Sequence, residues 1–365
     1  MKATNGRAKR LFAVMAAAGL VSTAVMAAGA TSATAAASCD KSKIKLVQSG
    51  RGLENPYYVA VNKGSEAFAK SVGLTSQWIS SDGDSQKQLS QITSILAESG
   101  ACTVLNVDPN ESSILPAILD AAKAAGAHVV VQWNRPSGVT PLKYGTTFTT
   151  FMSEDGNAQG YAIAIALFKA MGGKGNIVAL QGMLDNTVAQ SRFLGLKRAM
   201  KEYPKIKLLA DQTAKWDQNE GQKVMGTFLT KYGKQINGVW TANDSMGLGA
   251  LQALRAKKRT DVGVVGIDGL DLAMKEIAAG NGKSGYIATT ASNAHIQGGY
   301  GLAIGYAAAT GSWDPATAKP EQRAFYLKTV IATKANVAVM SKDRSIGMKF
   351  TNIWDAIGSV IPENV

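Results

Sequence analysis

Short apolar runs alternate with longer amphipathic stretches along almost the whole chain. KIKLVQ (43–48), LTSQWIS (74–80), TVLNV (103–107) and HVVVQW (128–133) read as strands. Between them, 57–71 carries Val61, Phe68 and Val72 on one helical face, Asp84 caps a helix bearing Leu89, Ile92, Ile95 and Leu96, and 112–125 forms a third helix. The alternation continues with strands at 175–180, 206–210, 236–241, 262–267 and 285–290, and helices at 157–171, 187–202, 218–232, 245–257, 270–279 and 294–309. Gly73, Gly100, Gly126 and Gly172 stand at helix ends, where a left-handed residue closes the last turn. Alternating β and α elements imply parallel sheets covered by helices on both faces. These elements are too many for one sheet of ordinary size, so the pattern predicts an α/β protein of two doubly wound parallel-sheet lobes. No Pro/Gly/Ser-rich linker separates the halves, which predicts short hinge segments.

The first 37 residues change the picture of the charge. The chain has 365 residues and a formal net charge of +13. Lys2, Arg7, Lys9 and Arg10 precede an Ala-rich apolar stretch, and Ala35-Ala36-Ala37 ends it, a pattern that predicts a secretory signal peptide (1–37) cleaved near Ala37. Export to the periplasm or the extracellular space follows; lipid anchoring at Cys39 is the alternative. The remaining basic residues are scattered, with Lys257-Lys258-Arg259 the densest cluster, so a nucleic-acid partner is not expected.

Composition narrows the chemistry. Two His and two Cys exclude Cys₄, Cys₂His₂ and His₃ metal sites. No calcium-loop pattern and no G-x-S-x-G is present, so neither a metal nor a cofactor is expected. In a doubly wound sheet the third strand lies beside the first, about 4.8 Å away, which places Cys39 and Cys102 within disulfide reach. An oxidising compartment then favours the bridge.

In open α/β sheets ligands bind beyond the carboxyl ends of the strands. Here those ends carry Asn55-Pro56-Tyr57-Tyr58, Asn106-Val107-Asp108-Pro109, Trp133-Asn134-Arg135-Pro136, Trp216-Asp217, Asn243-Asp244 and Asp268-Gly269, with Arg192 in the first turns of the 187–202 helix. Asn, Asp and Arg supply the donors and acceptors that each ligand hydroxyl needs, and aromatic rings supply flat faces for C–H groups. The set suits a small neutral polyhydroxylated ligand. Helix capping remains the alternative for Asp84, Asn243 and Asp244, a surface ion pair for Arg192, and a core position for Trp240.

The segments NPYYVAVNKGSEAFAK, DSQKQLSQI, VLNVDPNES, AQSRFLGLKRAM, TAKWDQNEG, VWTANDSMGLGALQAL and VVGIDG resemble the type I periplasmic sugar-binding proteins, the ribose-binding-like solute receptors of ABC importers, over about 43–340. The resemblance implies stacking by Tyr57, Tyr58 and Trp216 beside Asn55. It implies hydrogen bonding by Arg135, Arg192, Asn243 and Asp268, with Asn134, Asn106, Asp155 and Ser292 as further ligand residues. Two departures, Asn134-Arg135 for the usual Asp-Arg pair and Ser292-Asn293 for a Gln, argue against ribose itself. The implied lobes are 38–151 plus 292–330 and 152–291 plus 331–365, crossing near Phe151-Met152, Ala291-Ser292 and Ala332-Thr333. The expected function is capture of a monosaccharide or polyol by hinge closure of a monomer, for delivery to an ABC importer permease. The alternatives are an exported sensory receptor for a sugar-like signal or a secreted glycoside-acting enzyme using Asp217 and Asp268.

Overall fold

A computed structural model describes residues 39–291, 293–343 and 348–361. The predicted signal peptide and Ser292 lie outside the described residues. The first lobe begins β1 (Lys45–Gly50), α1 (Pro56–Ser71), β2 (Ser76–Ser80), α2 (Ser85–Ser99), β3 (Thr103–Val107), α3 (Leu115–Ala125), β4 (His128–Gln132), the short α4 (Pro141–Tyr144) and β5 (Phe148–Ser153). The second follows with α5 (Gly156–Ala170), β6 (Gly175–Gln181), α6 (Thr187–Glu202), β7 (Ile206–Thr213), α7 (Gln218–Tyr232), β8 (Gly238–Thr241), α8 (Asp244–Ala256), β9 (Gly263–Asp268), α9 (Asp271–Ala279) and β10 (Gly285–Ala291). The remainder is α10 (Ala294–Ala309), α11 (Pro320–Arg323), β11 (Ala324–Leu327), β12 (Val330–Thr333), α12 (Val337–Asp343) and β13 (Ile357–Val360).

Two sheets result, ordered β13-β11-β5-β4-β3-β1-β2 and β12-β10-β9-β8-β6-β7. The pairs are parallel except β10 with β12 and β11 with β13. Each is the doubly wound arrangement that the alternation predicts. Strand periodicity sorts the first lobe's core: Val47, Leu105, Val129 and Val131 pack with Ile92, Leu115 and Ile118 on one face, whereas Leu46 and Val104 pack with Phe68 and Leu302 on the other. Asp84 caps α2 by accepting from the Gln86 and Lys87 amides, and Gly73, Gly100, Gly126 and Gly172 all have positive φ. Trp240 is fully buried, its indole N–H donating to the Gly160 carbonyl at 3.1 Å.

The crossings differ from expectation. Met152 and Ser153 still pair within the first sheet, so the chain leaves that lobe at Glu154-Asp155. The return to the second sheet comes before Val330, because Val330–Thr333 pairs antiparallel with β10, ahead of the expected Ala332-Thr333. The segment 331–365 does not belong wholly to the second lobe. β13 pairs with β11, which adds a fourth crossing. The physical reason is edge pairing: β11 would otherwise leave one edge of the first sheet unpaired. β5 and β11 to β13 had no counterpart in the sequence reading, since Thr-rich FTTFMS and four-residue strands show no decisive periodicity.

Cys39 and Cys102 are bonded, with Cα atoms 5.6 Å apart across a separation of 63 residues. Lys45 of β1 aligns with Thr103 of β3, which brings the starts of the two strands together as the layout required. Among the described residues no helix is long and apolar enough to cross a membrane.

Candidate functional site

A cavity lies between the carboxyl ends of the two sheets, where ligands of open α/β sheets bind. The first lobe lines it with Arg51, Asn55, Tyr57, Tyr58, Asp108, Trp133 and Asn134, and the second with Asn186, Val188, Arg192, Trp216, Asn243 and Asp268. Eight of the expected ligand residues therefore meet here: Asn55, Tyr57, Tyr58, Asn134, Arg192, Trp216, Asn243 and Asp268.

The first wall is locked side chain to side chain. Tyr58 donates its hydroxyl to Asp108 Oδ2 at 2.7 Å, and Asn134 Nδ2 donates to Asp108 Oδ1 at 2.8 Å. The Trp133 indole N–H donates to the Tyr57 hydroxyl at 2.8 Å. Burial raises the Asp108 carboxyl to about 6, against the opposing pull of the Tyr58 hydrogen bond and the nearby Arg51 cation. Burial also pushes both tyrosine phenols well above their ordinary value, so they remain protonated donors. The Asn134 carbonyl oxygen is buried without a partner, an acceptor that a ligand hydroxyl can satisfy.

The second wall is anchored mainly to backbone. Arg192 donates through Nη1 to the Ala242 carbonyl at 2.8 Å and through Nε to Gln159 at 3.3 Å. Its guanidinium lies 5.0 Å from the Trp133 ring centroid and 5.7 Å from that of Trp216, a cation–π stack spanning both lobes. Asn243 caps α8 by accepting from the Met246 amide at 3.0 Å and also lines the cavity. Trp216 and Asp268 occupy positive φ of 67° and 121°, conformations that L-residues enter only when neighbouring structure imposes them. Fully buried Asp244 supports the second of these turns, accepting from Tyr286, Thr289 and the Leu270 amide at 2.7, 2.9 and 2.8 Å. A Cβ at Gly182 would lie 2.0 Å from the Trp216 ring, so a glycine after β6 is what lets the indole lie flat. Two arginines and two aspartates face the cavity, a balanced set that suits a neutral ligand.

Three expected ligand residues are not on the cavity. Asn106 points into the first lobe, where its amide donates to Gln48 at 2.7 Å and the Gln297 carbonyl at 3.0 Å; it lies within β3, one step short of the strand's exit. Asp155 caps α5, accepting from the Ala158 amide at 2.9 Å. Arg135 is turned away: its guanidinium lies 4.7 Å from the Phe151 ring centroid and donates to the Val139 carbonyl at 2.9 Å. The cause is local. The Asn134 amide donates to the Gln132 carbonyl at 2.6 Å and Trp133 has φ 58°, a tight three-residue turn that brings the indole, and not the guanidinium, to the cavity. Arg51, Asp108, Trp133, Asn186 and Val188 are cavity residues that the sequence reading left out of its ligand set. Arg51, Asp108 and Trp133 each stand one residue past a strand end, so the strand-end rule held the signal; Asn186 and Val188 carried none.

Hydrogen bonds also bridge the lobes at the rim. Ser113 donates to Asp185 at 2.6 Å, Asn186 to the Asn110 carbonyl at 3.0 Å, and the Thr187 amide to Ser112 at 3.0 Å. The lobes are therefore closed on one another around the cavity.

Residues 49–312 match the family profile of the periplasmic binding protein domain. The chain is 32% identical over 242 residues to a xylitol-binding protein of Mycolicibacterium smegmatis, covering 66% of each protein. It is 35% identical over 228 residues to a D-apiose import binding protein of Actinobacillus succinogenes, covering 62% of this chain and 70% of that one. The alignments thus span about two thirds of the length of these curated relatives. A crystal structure described as a twin-arginine translocation pathway signal protein from Burkholderia phytofirmans is 36% identical, with a TM-score of 0.84 over 87% of this chain and 98% of that one. With two doubly wound lobes closed around a polar, aromatic-lined cavity and a family match over most of its length, this chain belongs to the periplasmic binding protein domain family.

Proposed function

We propose that the protein captures a monosaccharide or a polyol between its lobes and delivers it, as a monomer, to the permease of an ABC importer. The observation that carries this reading is the division of the cavity lining between the lobes. A ligand held by Tyr58, Asp108 and Asn134 gains Arg192, Trp216 and Asp268 only when the lobes meet. That difference in contacts shifts the population toward the closed form, which a permease can read. The names of the relatives, xylitol-binding and D-apiose import binding, support the ligand class and the transport role. Family membership favours binding without catalysis and a periplasmic location; export is assigned to 1–37, with cleavage near Ala37.

A thermal-shift panel of pentoses, hexoses and linear polyols on the mature protein tests this reading. One or a few ligands raise Tm by mass action, and Arg192→Ala and Asp268→Ala each abolish the shift while the unliganded protein stays folded. No shift with any sugar or polyol, an unaltered shift in both variants, or turnover of the bound sugar on long incubation overturns it.

A further inference from the structure

We propose that Trp133, together with Val188, is the partition that sets the length of ligand the cleft accepts, restricting it to four- and five-carbon polyols and sugars over six-carbon ones. This rests on the reading above and adds a residue-level determinant to it. Adjoining the binding cavity is a second, half-open pocket lined by Arg135, Ser137, Glu154 and Tyr326. Among the described residues, Trp133 and Val188 alone line both spaces, so they form the wall between them.

The wall is built at a cost, which argues for a purpose. Trp133 is a bulky residue at φ 58° in a tight turn, a conformation that is sterically disfavoured and persists where surrounding contacts enforce it. The enforcing contacts are here: the indole N–H is held by the Tyr57 hydroxyl, and one ring face is covered by the Arg192 guanidinium. With its N–H engaged, Trp133 offers a ligand ring surface and no hydrogen bond. A further hydroxymethyl group pointing toward β4 meets the indole. Exclusion of one carbon unit by a hydrophobic wall commonly separates affinities by about 10- to 200-fold.

The test is titration calorimetry of erythritol, xylitol, D-ribose, sorbitol and D-glucose against the mature wild type and the Trp133→Phe and Trp133→Ala variants. The wild type favours the best four- or five-carbon ligand over either six-carbon ligand by at least about tenfold. Trp133→Ala shrinks that ratio below about threefold by gaining six-carbon affinity, and Trp133→Phe falls between. If Trp133→Ala does not fold, the Phe variant still has to narrow the ratio. Equal wild-type affinity for five- and six-carbon ligands, or a uniform loss across the series on substitution, overturns the partition while leaving sugar capture intact. Absence of binding to every compound overturns the functional reading itself.

Discussion

The two lobes share one architecture yet hold their halves of the cavity in different ways. In the first, functional side chains bond to one another: Tyr58 and Asn134 to Asp108, and Trp133 to Tyr57. In the second, Arg192 is fixed mainly by a backbone carbonyl, Asn243 by a helix amide and Asp268 by the turn that presents it, with the Trp216 indole donating to the Asn186 side chain as a lateral bond between cavity residues. The first lobe is also stapled at its far end by Cys39–Cys102, at the start of the strands whose other ends carry Arg51 and Asp108; the described residues of the second hold no disulfide. A laterally bonded wall spreads the effect of any change, whereas a backbone-anchored wall confines it.

The largest expected effect comes from cutting the staple. Chain-entropy reasoning gives about 4 kcal/mol for a loop of this length. Cys39→Ser with Cys102→Ser should therefore lower Tm under oxidising conditions to the wild-type value measured under reduction, and hydrogen exchange should report the loss in β1 and β3 before β6 and β8. Equal loss of protection in both lobes would remove the asymmetry.

Asp108 gives the next effect, with a definite sign. Its folded-state value near 6 lies above the ordinary carboxylate value of 3.8, so its contribution to stability is fully present below about 4 and is lost as pH rises through 6. The penalty at neutral pH is on the order of 3 kcal/mol. Asp108→Asn should raise unliganded Tm at pH 7.5 relative to wild type and flatten the Tm profile between pH 4 and 6.5. An unchanged profile would mean that Asp108 titrates normally.

Smaller effects sharpen the contrast between the walls. Tyr58→Phe and Asn134→Ala share Asp108, so a double-mutant cycle in urea should show a coupling of about 1 kcal/mol. In the second wall, Asn243→Ala should cost about 1 kcal/mol through its cap and add to Arg192→Ala within about 0.5 kcal/mol. Strong coupling in the second pair, or none in the first, would erase the distinction.

Much of the cavity lining was legible because cavity residues follow strand ends, and strand ends show in the apolar pattern. Tyr57, Tyr58, Trp216, Asn243 and Asp268 were reached this way, Arg192 through the first turns of the helix after β6, and the disulfide because parallel neighbours must start side by side. Asn106 fell inside its strand and Asp155 went to a helix cap, whereas Arg135 was lost to one residue of turn geometry. At β4 the pattern ends at Gln132-Trp133, and nothing in the residue types says whether the indole or the Arg135 guanidinium will face the cavity.

Sequence by itself determined the alternation, the caps, the two-lobe class and the chemical character of the cleft, because these depend on local periodicity and on residue type. Only the tertiary structure decided the fourth crossing, the pairing of β13 with the first sheet, the inward turn of Trp133 and the retreat of Arg135. Those features depend on which sheet edge is open and on which contacts can enforce a strained turn, and both exist only once distant segments are in place.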